Sequence, residues 1–229
     1  MQISELFYSI QGEGKLTGVP SVFVRASGCN LRCTWCDTPY ASWDPDGHPM
    51  EVDQIVQQVL AFGPRHVVIT GGEPFIMPDL PELCAALRRQ DLHITLETAS
   101  TIYEPVALDL ASLSPKLANS TPLDRAGGRY AAMHEKQRLN LPVIQQFIDG
   151  SPDFQLKFVV ANESDLAEIH TILARLNGCS PSDILLMPEG TDAPTLDARA
   201  GWIAETCKQT GFRYCPRLHV ALYGNRRGT

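Results

Sequence analysis

The sequence has no apolar run long enough to cross a bilayer, which takes about 20 residues, and it opens without the basic-then-apolar pattern of a secretory leader. A surplus of positive charge is missing too. Lys and Arg number 19 against 26 Asp and Glu, the formal net charge is −7, and the one compact basic pair is Arg226-Arg227. That argues against the broad electropositive footprint of a nucleic-acid binder. Internal repeats, low-complexity tracts and breaks in composition are absent. A single domain over 1–229 is therefore expected, with short N- and C-terminal segments covering the site. The seven cysteines are odd in number and follow no leader, which points to the reducing cytoplasm rather than to a disulfide framework.

What is present is concentrated. Cys29, Cys33 and Cys36 stand in a CxxxCxxC spacing, with Trp35 before the third. A closed structural zinc site takes four ligands, and a cubane iron–sulfur cluster usually takes four thiolates. Three leave one coordination position open, and open positions are where metals do chemistry. Cys84, Cys179, Cys207 and Cys215 are scattered and read as core or surface thiols.

Around that loop, short β-branched apolar runs alternate with helical periodicity. Strands are expected over 3–10, 19–26, 66–70, 92–98, 106–110, 154–161 and 184–187, with a last extended piece at 213–215. Helices are expected over 52–62, 79–89 (capped by Asp79), 134–148 (interrupted at Pro142), 165–176 and 197–209. Residues 37–50 read as loop and 119–133 as irregular. Such alternation implies a parallel sheet with right-handed crossovers and every strand C-terminus at one end. The strands are too few for an eightfold barrel, so the expected fold class is α/β: a partial, open (β/α) barrel. Arg25, the Thr70-Gly71-Gly72-Glu73 stretch, Glu97-Thr98, Ser114 to Lys116 and Lys157 fall at or near strand ends, where α/β proteins place their sites.

The cysteine loop, followed after one helix by Gly71-Gly72-Glu73-Pro74 behind an apolar strand, resembles the two signatures of the radical S-adenosylmethionine enzymes. The stretch Tyr8-Ser9-Ile10-Gln11-Gly12-Glu13-Gly14, then Cys36-Asp37-Thr38, then Ser114-Pro115-Lys116, and the ending Tyr223-Gly224-Asn225-Arg226-Arg227-Gly228, narrow that resemblance to the 7-carboxy-7-deazaguanine synthase family. The resemblance implies a radical SAM barrel fold and a carbon–nitrogen lyase. Its reaction turns 6-carboxy-5,6,7,8-tetrahydropterin into 7-carboxy-7-deazaguanine with loss of ammonia, on the queuosine route.

It also implies roles. Cys29, Cys33 and Cys36 would hold a 4Fe-4S cluster and Thr38 a Mg2+ ion, an oxygen-loving cation that keeps waters. Ile10, Gln11, Gly12, Glu13, Arg25, Thr70 and His219 would meet the pterin, with the planar Arg25 fork matching a carboxylate. Gly72, Glu73, Ser114, Pro115, Lys116 and Lys157 would bind S-adenosyl-L-methionine, Glu73 by accepting from its ammonium. Lys157, like Glu97, also reads as part of a strand-end ion pair, and His219 also reads as a structural histidine. The implied partners are a flavodoxin-like electron donor and a second copy in a homodimer, with no nucleic acid and no membrane.

Two rival readings share parts of this pattern. A glycyl-radical activating enzyme has the same short chain and cluster loop but acts on a protein backbone. The threonine after Cys36-Asp37 and the acid-binding set Gln11, Glu13 and Arg25 argue against it. A non-catalytic iron–sulfur or zinc module that senses redox state would leave Gly71 to Pro74 and Ser114 to Lys116 unexplained.

Overall fold

The structure, a computed structural model, describes residues 1–229. In chain order the elements are β1 (Gln2–Ile10), β2 (Pro20–Ala26), α1 (Pro39–Ser42), β3 (His48–Pro49), α2 (Val52–Ala61), β4 (His66–Gly71), α3 (Leu80–Arg88), β5 (His93–Thr98), β6 (Leu110–Leu113), α4 (Ala131–Gln137), α5 (Leu141–Gly150), β7 (Phe154–Val160), α6 (Asp165–Leu173), β8 (Ile184–Pro188), α7 (Ala193–Thr210), β9 (Arg213–Tyr214) and α8 (Leu218–Tyr223). The strands form one 9-stranded sheet in the order β3-β1-β2-β4-β5-β6-β7-β8-β9. β1 is antiparallel to both its neighbours, and every pairing from β2 to β9 is parallel. The ends do not join, so the expected partial, open α/β barrel is what the chain forms.

The strands alternate in a way that separates two faces. Val22, Val24, Val67, Ile69, Ile94, Leu96, Ala111, Leu113, Leu156, Phe158, Ile184 and Leu186 point into the main core beneath the helices. At the centre of that core Phe147 is 1% exposed, with Phe75 and Tyr103 edge-on to its ring. Truncating it to Ala would cost about 3–5 kcal/mol. The intervening positions face the other way, and several of them are polar: Arg25, Thr70, Glu97, Ser112, Gln155 and Lys157.

Several sequence expectations shift. The strand expected at 106–110 lies at Leu110–Leu113. Its start is pinned by Asp109, whose carboxylate accepts from Ile94 N–H at 2.7 Å and from Arg88 at 2.8 Å. The helix expected over 134–148 is two helices, because Pro142 opens α5 rather than interrupting a longer one. Proline's fixed φ and missing N–H suit a first turn, and Asn140 caps it. Helix α7 begins at Ala193, not at residue 197, because the Asp192 side chain accepts from Thr195 N–H. Asp79 precedes α3 but does not cap it, since its carboxylate takes the N-terminal ammonium of Met1 at 3.2 Å. Residues 37–50, read as loop, include α1 and the short β3.

Candidate functional site

The polar ends of the inner face line one cavity of about 210 Å³ at the C-terminal rim of the parallel strands. Its floor is a hydrogen-bonded row across the sheet. Arg25 sits level with Thr70 in the β2–β4 register. Thr70 Oγ1 donates to Glu97 Oε2 at 2.8 Å, and Gln11 Nε2 donates to Glu97 Oε1 at 3.1 Å. Further along, Gln155 Nε2 donates to Ser112 Oγ at 2.7 Å, and Lys15 N–H donates to Gln155 Oε1 at 2.7 Å. Glu97 is thus the joint between the strand ends and the Gln11 loop. Arg25 donates through Nε to Glu5 Oε2 at 2.7 Å, and Tyr40 OH donates to the same oxygen at 2.9 Å. The two terminal nitrogens of Arg25 donate to no protein atom, so the end of its fork is open to an acid in the cavity.

The wall above the Gln11 loop is built from charge. Glu13 pairs with Lys157 through one oxygen and with Arg217 Nε through the other at 3.2 Å. Arg217 also reaches the Asp37 carboxylate and the Gly190 carbonyl, and its side chain is only 5% exposed. Burial alone would push the Glu13 carboxyl up, but Lys157 and Arg217 overcome that and hold it well below the usual carboxylate range. Burial would likewise raise Asp37, and Arg217 reverses it. Two cations and two carboxylates balance in this group, which is what lets it stay charged out of water. The C-terminal segment is docked onto the same loop, with Leu218 N–H donating to Gly12 O at 2.9 Å. A Cβ on Gly12 would lie 2.0 Å from His219 Nδ1, so only glycine admits that approach. Burial is the main reason the His219 pKa is lowered.

The thiols of Cys29, Cys33 and Cys36 line the same cavity. Burial pushes Cys29 and Cys33 up to about 12, so both are protonated thiols until a metal claims them, and loading must release protons. No three His, Cys, Asp or Glu side chains converge closely enough to hold a single ion. Soft thiols spread along one wall fit an iron–sulfur cluster, in which each thiolate takes its own iron. Thr38 Oγ1 meets only Cys36 Sγ, at 3.8 Å, which leaves a hydroxyl free for a hard cation. The Gly71-Gly72-Glu73 turn packs directly behind the thiols. A Cβ on Gly72 would lie 2.0 Å from Gly28 O, and Glu73 N–H donates to Gly28 O at 2.9 Å. The close approach these glycines permit is to the cysteine loop as much as to a ligand.

Most residues singled out from sequence meet in this cavity: Ile10, Gln11, Gly12, Glu13, Arg25, Thr38, Thr70, Gly72, Ser114, Lys116, Lys157 and His219. Two do not. Glu73 lies behind the lining with no exposed surface, and its carboxylate accepts from Thr98 Oγ1 at 2.7 Å, Ala99 N–H at 2.9 Å and Phe75 N–H at 3.2 Å. These bonds tie the turn after β4 to β5, and the carboxylate does not reach the cavity lining. Pro115 is buried beneath Ser114 and Lys116, whose side chains reach the cavity and bond each other at 2.7 Å. Lys157 is on the lining, where it pairs with Glu13 of the Gln11 loop.

Sequence reasoning missed Arg217 and Ser112, which line the cavity, and Gln155, which bonds Ser112 from outside the lining. Arg217 sits in no spacing rule, and its partners are 180 and 204 residues away. Ser112 and Gln155 had a signal: each is a polar residue at an inward position of an otherwise apolar strand.

Comparison with known proteins matches residues 23–119 to the radical SAM superfamily. The 7-carboxy-7-deazaguanine synthase of Halobacterium salinarum is 45% identical over 235 residues, covering 98% of this chain and 91% of that protein. The same enzyme of Rhodopirellula baltica is 44% identical, covering 99% and 88%. Among solved structures, QueE from Escherichia coli is similar at a TM-score of 0.69 and 25% identity, over 95% of this chain and 94% of that one. Streptococcus suis SuiB, at 12% identity and a TM-score of 0.55, shares the fold.

Proposed function

The chain belongs to the 7-carboxy-7-deazaguanine synthase family of the radical SAM superfamily, and from that premise we propose that its cavity converts 6-carboxy-5,6,7,8-tetrahydropterin to 7-carboxy-7-deazaguanine with loss of ammonia. The observation that carries this reading is that three cysteine thiols and the acid-binding set Gln11, Glu13 and Arg25 line a single cavity.

The residues divide the work. Cys29, Cys33 and Cys36 would hold the 4Fe-4S cluster, while Gly72, Ser114 and Lys116 would seat S-adenosyl-L-methionine beside it. Together these groups supply, when bound and reduced, a carbon-centred radical. Arg25 offers its free Nη groups to the substrate carboxylate. Thr38 offers its hydroxyl to Mg2+, which would share that carboxylate. Glu13 is kept ionised by Lys157 and Arg217 and is therefore an acceptor only, suited to the N–H edge of a pterin. His219 and the C-terminal segment close the Gln11 loop over the ring and exclude water. Fixed orientation is the protein's main contribution, because a reactive radical attacks whatever lies nearest. A protein-backbone substrate, as in glycyl-radical activation, has no use for a buried acid-binding wall of this kind. A flavodoxin-like donor and assembly as a homodimer complete the proposal.

The test is anaerobic reconstitution with iron and sulfide, followed by reductant, S-adenosylmethionine, Mg2+ and carboxytetrahydropterin. Formation of the deazapurine is expected. Cleavage of the methionine cofactor without that product would keep the superfamily and sink the substrate.

A further inference from the structure

His134 lies in α4, outside the cavity lining, with no exposed surface. Its ring makes two bonds of different kinds. Nδ1 accepts the backbone N–H of Arg32 at 3.2 Å, and Nε2 lies 2.9 Å from Ser120 Oγ. The Ser120 hydroxyl hydrogen is already given to Leu117 O at 2.6 Å, so Ser120 Oγ is left to accept. Nε2 therefore carries the ring proton and Nδ1 has the free lone pair: one neutral tautomer satisfies the whole row. Arg32 stands between Cys29 and Cys33. The next amide beyond Cys33, Thr34 N–H, donates to Ser120 O at 2.8 Å. The loop is thus gripped on both sides of Cys33 from the segment that follows Ser114 to Lys116.

We propose that His134 is a positioning residue for the cysteine loop: its Nδ1 holds the Arg32 amide, and the row Leu117–Ser120–His134–Arg32 keeps the Cys29 and Cys33 thiols set for cluster uptake. This rests on the reading that those thiols carry the cluster. The row contains no charge. Its geometry therefore does not depend on the thiols' ionisation, which must change when iron binds. A histidine serving only to fill space would not need its two nitrogens in these two roles.

Two substitutions separate the roles. In His134→Asn, Oδ1 falls where Nδ1 was and keeps the Arg32 bond. In His134→Gln, the amide reaches Ser120 and loses Arg32. Amide exchange is read in the metal-free chain, and iron content with cluster absorbance after anaerobic reconstitution. His134→Asn should keep slow exchange at Arg32 and load iron within about twofold of the unsubstituted protein, whereas His134→Gln should exchange about tenfold faster over 31–34, with β4 and β5 unchanged, and load several-fold less. Ser120→Ala, which leaves Arg32 bonded but frees the ring to tilt, should fall between them. It also serves as the probe if His134→Gln melts before assay. Equal loading by the Asn and Gln variants, or faster exchange spread evenly over the sheet, overturns the proposal. If the unsubstituted protein takes up no iron, the cluster reading fails, and the exchange contrast in the metal-free chain still decides the positioning role.

Discussion

From Cys29 to Thr34, the cysteine loop is held by hydrogen bonds to its backbone. Trp43 Nε1 donates to Cys33 O at 2.9 Å, His134 takes Arg32 N–H, and Ser120 O takes Thr34 N–H. Arg125 and Arg32 do bring charge, but they spend it on the carbonyls of Thr34 and Cys29. Around the Gln11 loop the restraints are ion pairs: Glu13 with Lys157 and Arg217, and Arg217 with Asp37, which ties this group to the far end of the cysteine loop. The difference follows what each wall must tolerate. A wall that exchanges thiol protons for iron changes its own charge, and a scaffold of ion pairs would shift with it. A wall that recognises a small polar acid keeps constant charge and gains from fixed, desolvated partners.

The largest break in this comparison comes from the thiol wall itself. Cys33→Ala removes the ligand at the centre of the gripped loop, and both cluster assembly and product formation should vanish. Iron analysis and product detection read it directly. Because the loop is held by backbone groups, the variant should fold as well as the parent, with a melting temperature within a few degrees. A collapse of the fold would show that the thiols, not the hydrogen bonds, organise that wall.

Next is Arg217→Met on the charged wall. It keeps the length of the side chain and leaves Asp37 without its cation, while Lys157 still faces Glu13. Breaking a buried ion pair from one side costs about 3–5 kcal/mol. The lost orientation of Glu13 should lower kcat/KM by about 100-fold. Chemical denaturation and steady-state kinetics test the two halves. Cluster content should be unchanged, which distinguishes this wall from the other. Thr38→Ala should act between the walls. Cluster assembly survives, and the Mg2+ concentration needed for half-maximal activity rises about tenfold, the loss of roughly one oxygen ligand. An unchanged Mg2+ response would remove Thr38 from the metal.

How far the sequence foretells these walls depends on how local each feature is. Cys29, Cys33 and Cys36 are legible because one short loop carries them. The α/β order is legible from runs such as His66 to Thr70 and from the periodicity of α2, whose N-terminus Glu51 and Gln54 close with a capping box. The charged wall is not legible, because Glu13 meets Lys157 across 144 residues and Arg217 across 204. The irregular stretch 119–133 carries no periodicity, yet it supplies Ser120, Arg125 and the lead into His134. Its value lies in carbonyls and amides, which no side-chain pattern reports. Glu73 shows a second kind of gap between motif and place. Its place in a motif suggests a ligand contact, while its burial and three protein donors give it a structural duty.

The smallest effect is the most specific to the neutral wall. Burial is the main reason the His134 pKa is lowered, to about 4; Glu135 pulls it up, while Arg138 and Lys116 push it down. The unfolded chain binds that proton near the ordinary value of 6.5, so the folded state resists protonation over the window between the two. The stability His134 contributes is therefore complete above about pH 6.5 and is lost as the pH falls toward 4. From about pH 7 to about pH 5.5 the loss should be about 1 kcal/mol. In metal-free protein, urea melts across that range should show a slope that includes this loss, and His134→Asn, which cannot titrate, should reduce the slope by that amount and leave the part due to His66 and His219, whose pKa values burial also lowers. The Glu13 carboxylate, whose pKa is depressed, contributes nothing over the same range, since its stability is lost only below the ordinary carboxylate pKa. Because burial also lowers the pKa of His219, which lies beside Glu13, the share of the slope that belongs to the neutral wall is the difference between the unsubstituted protein and His134→Asn, and that difference should survive Glu13→Gln.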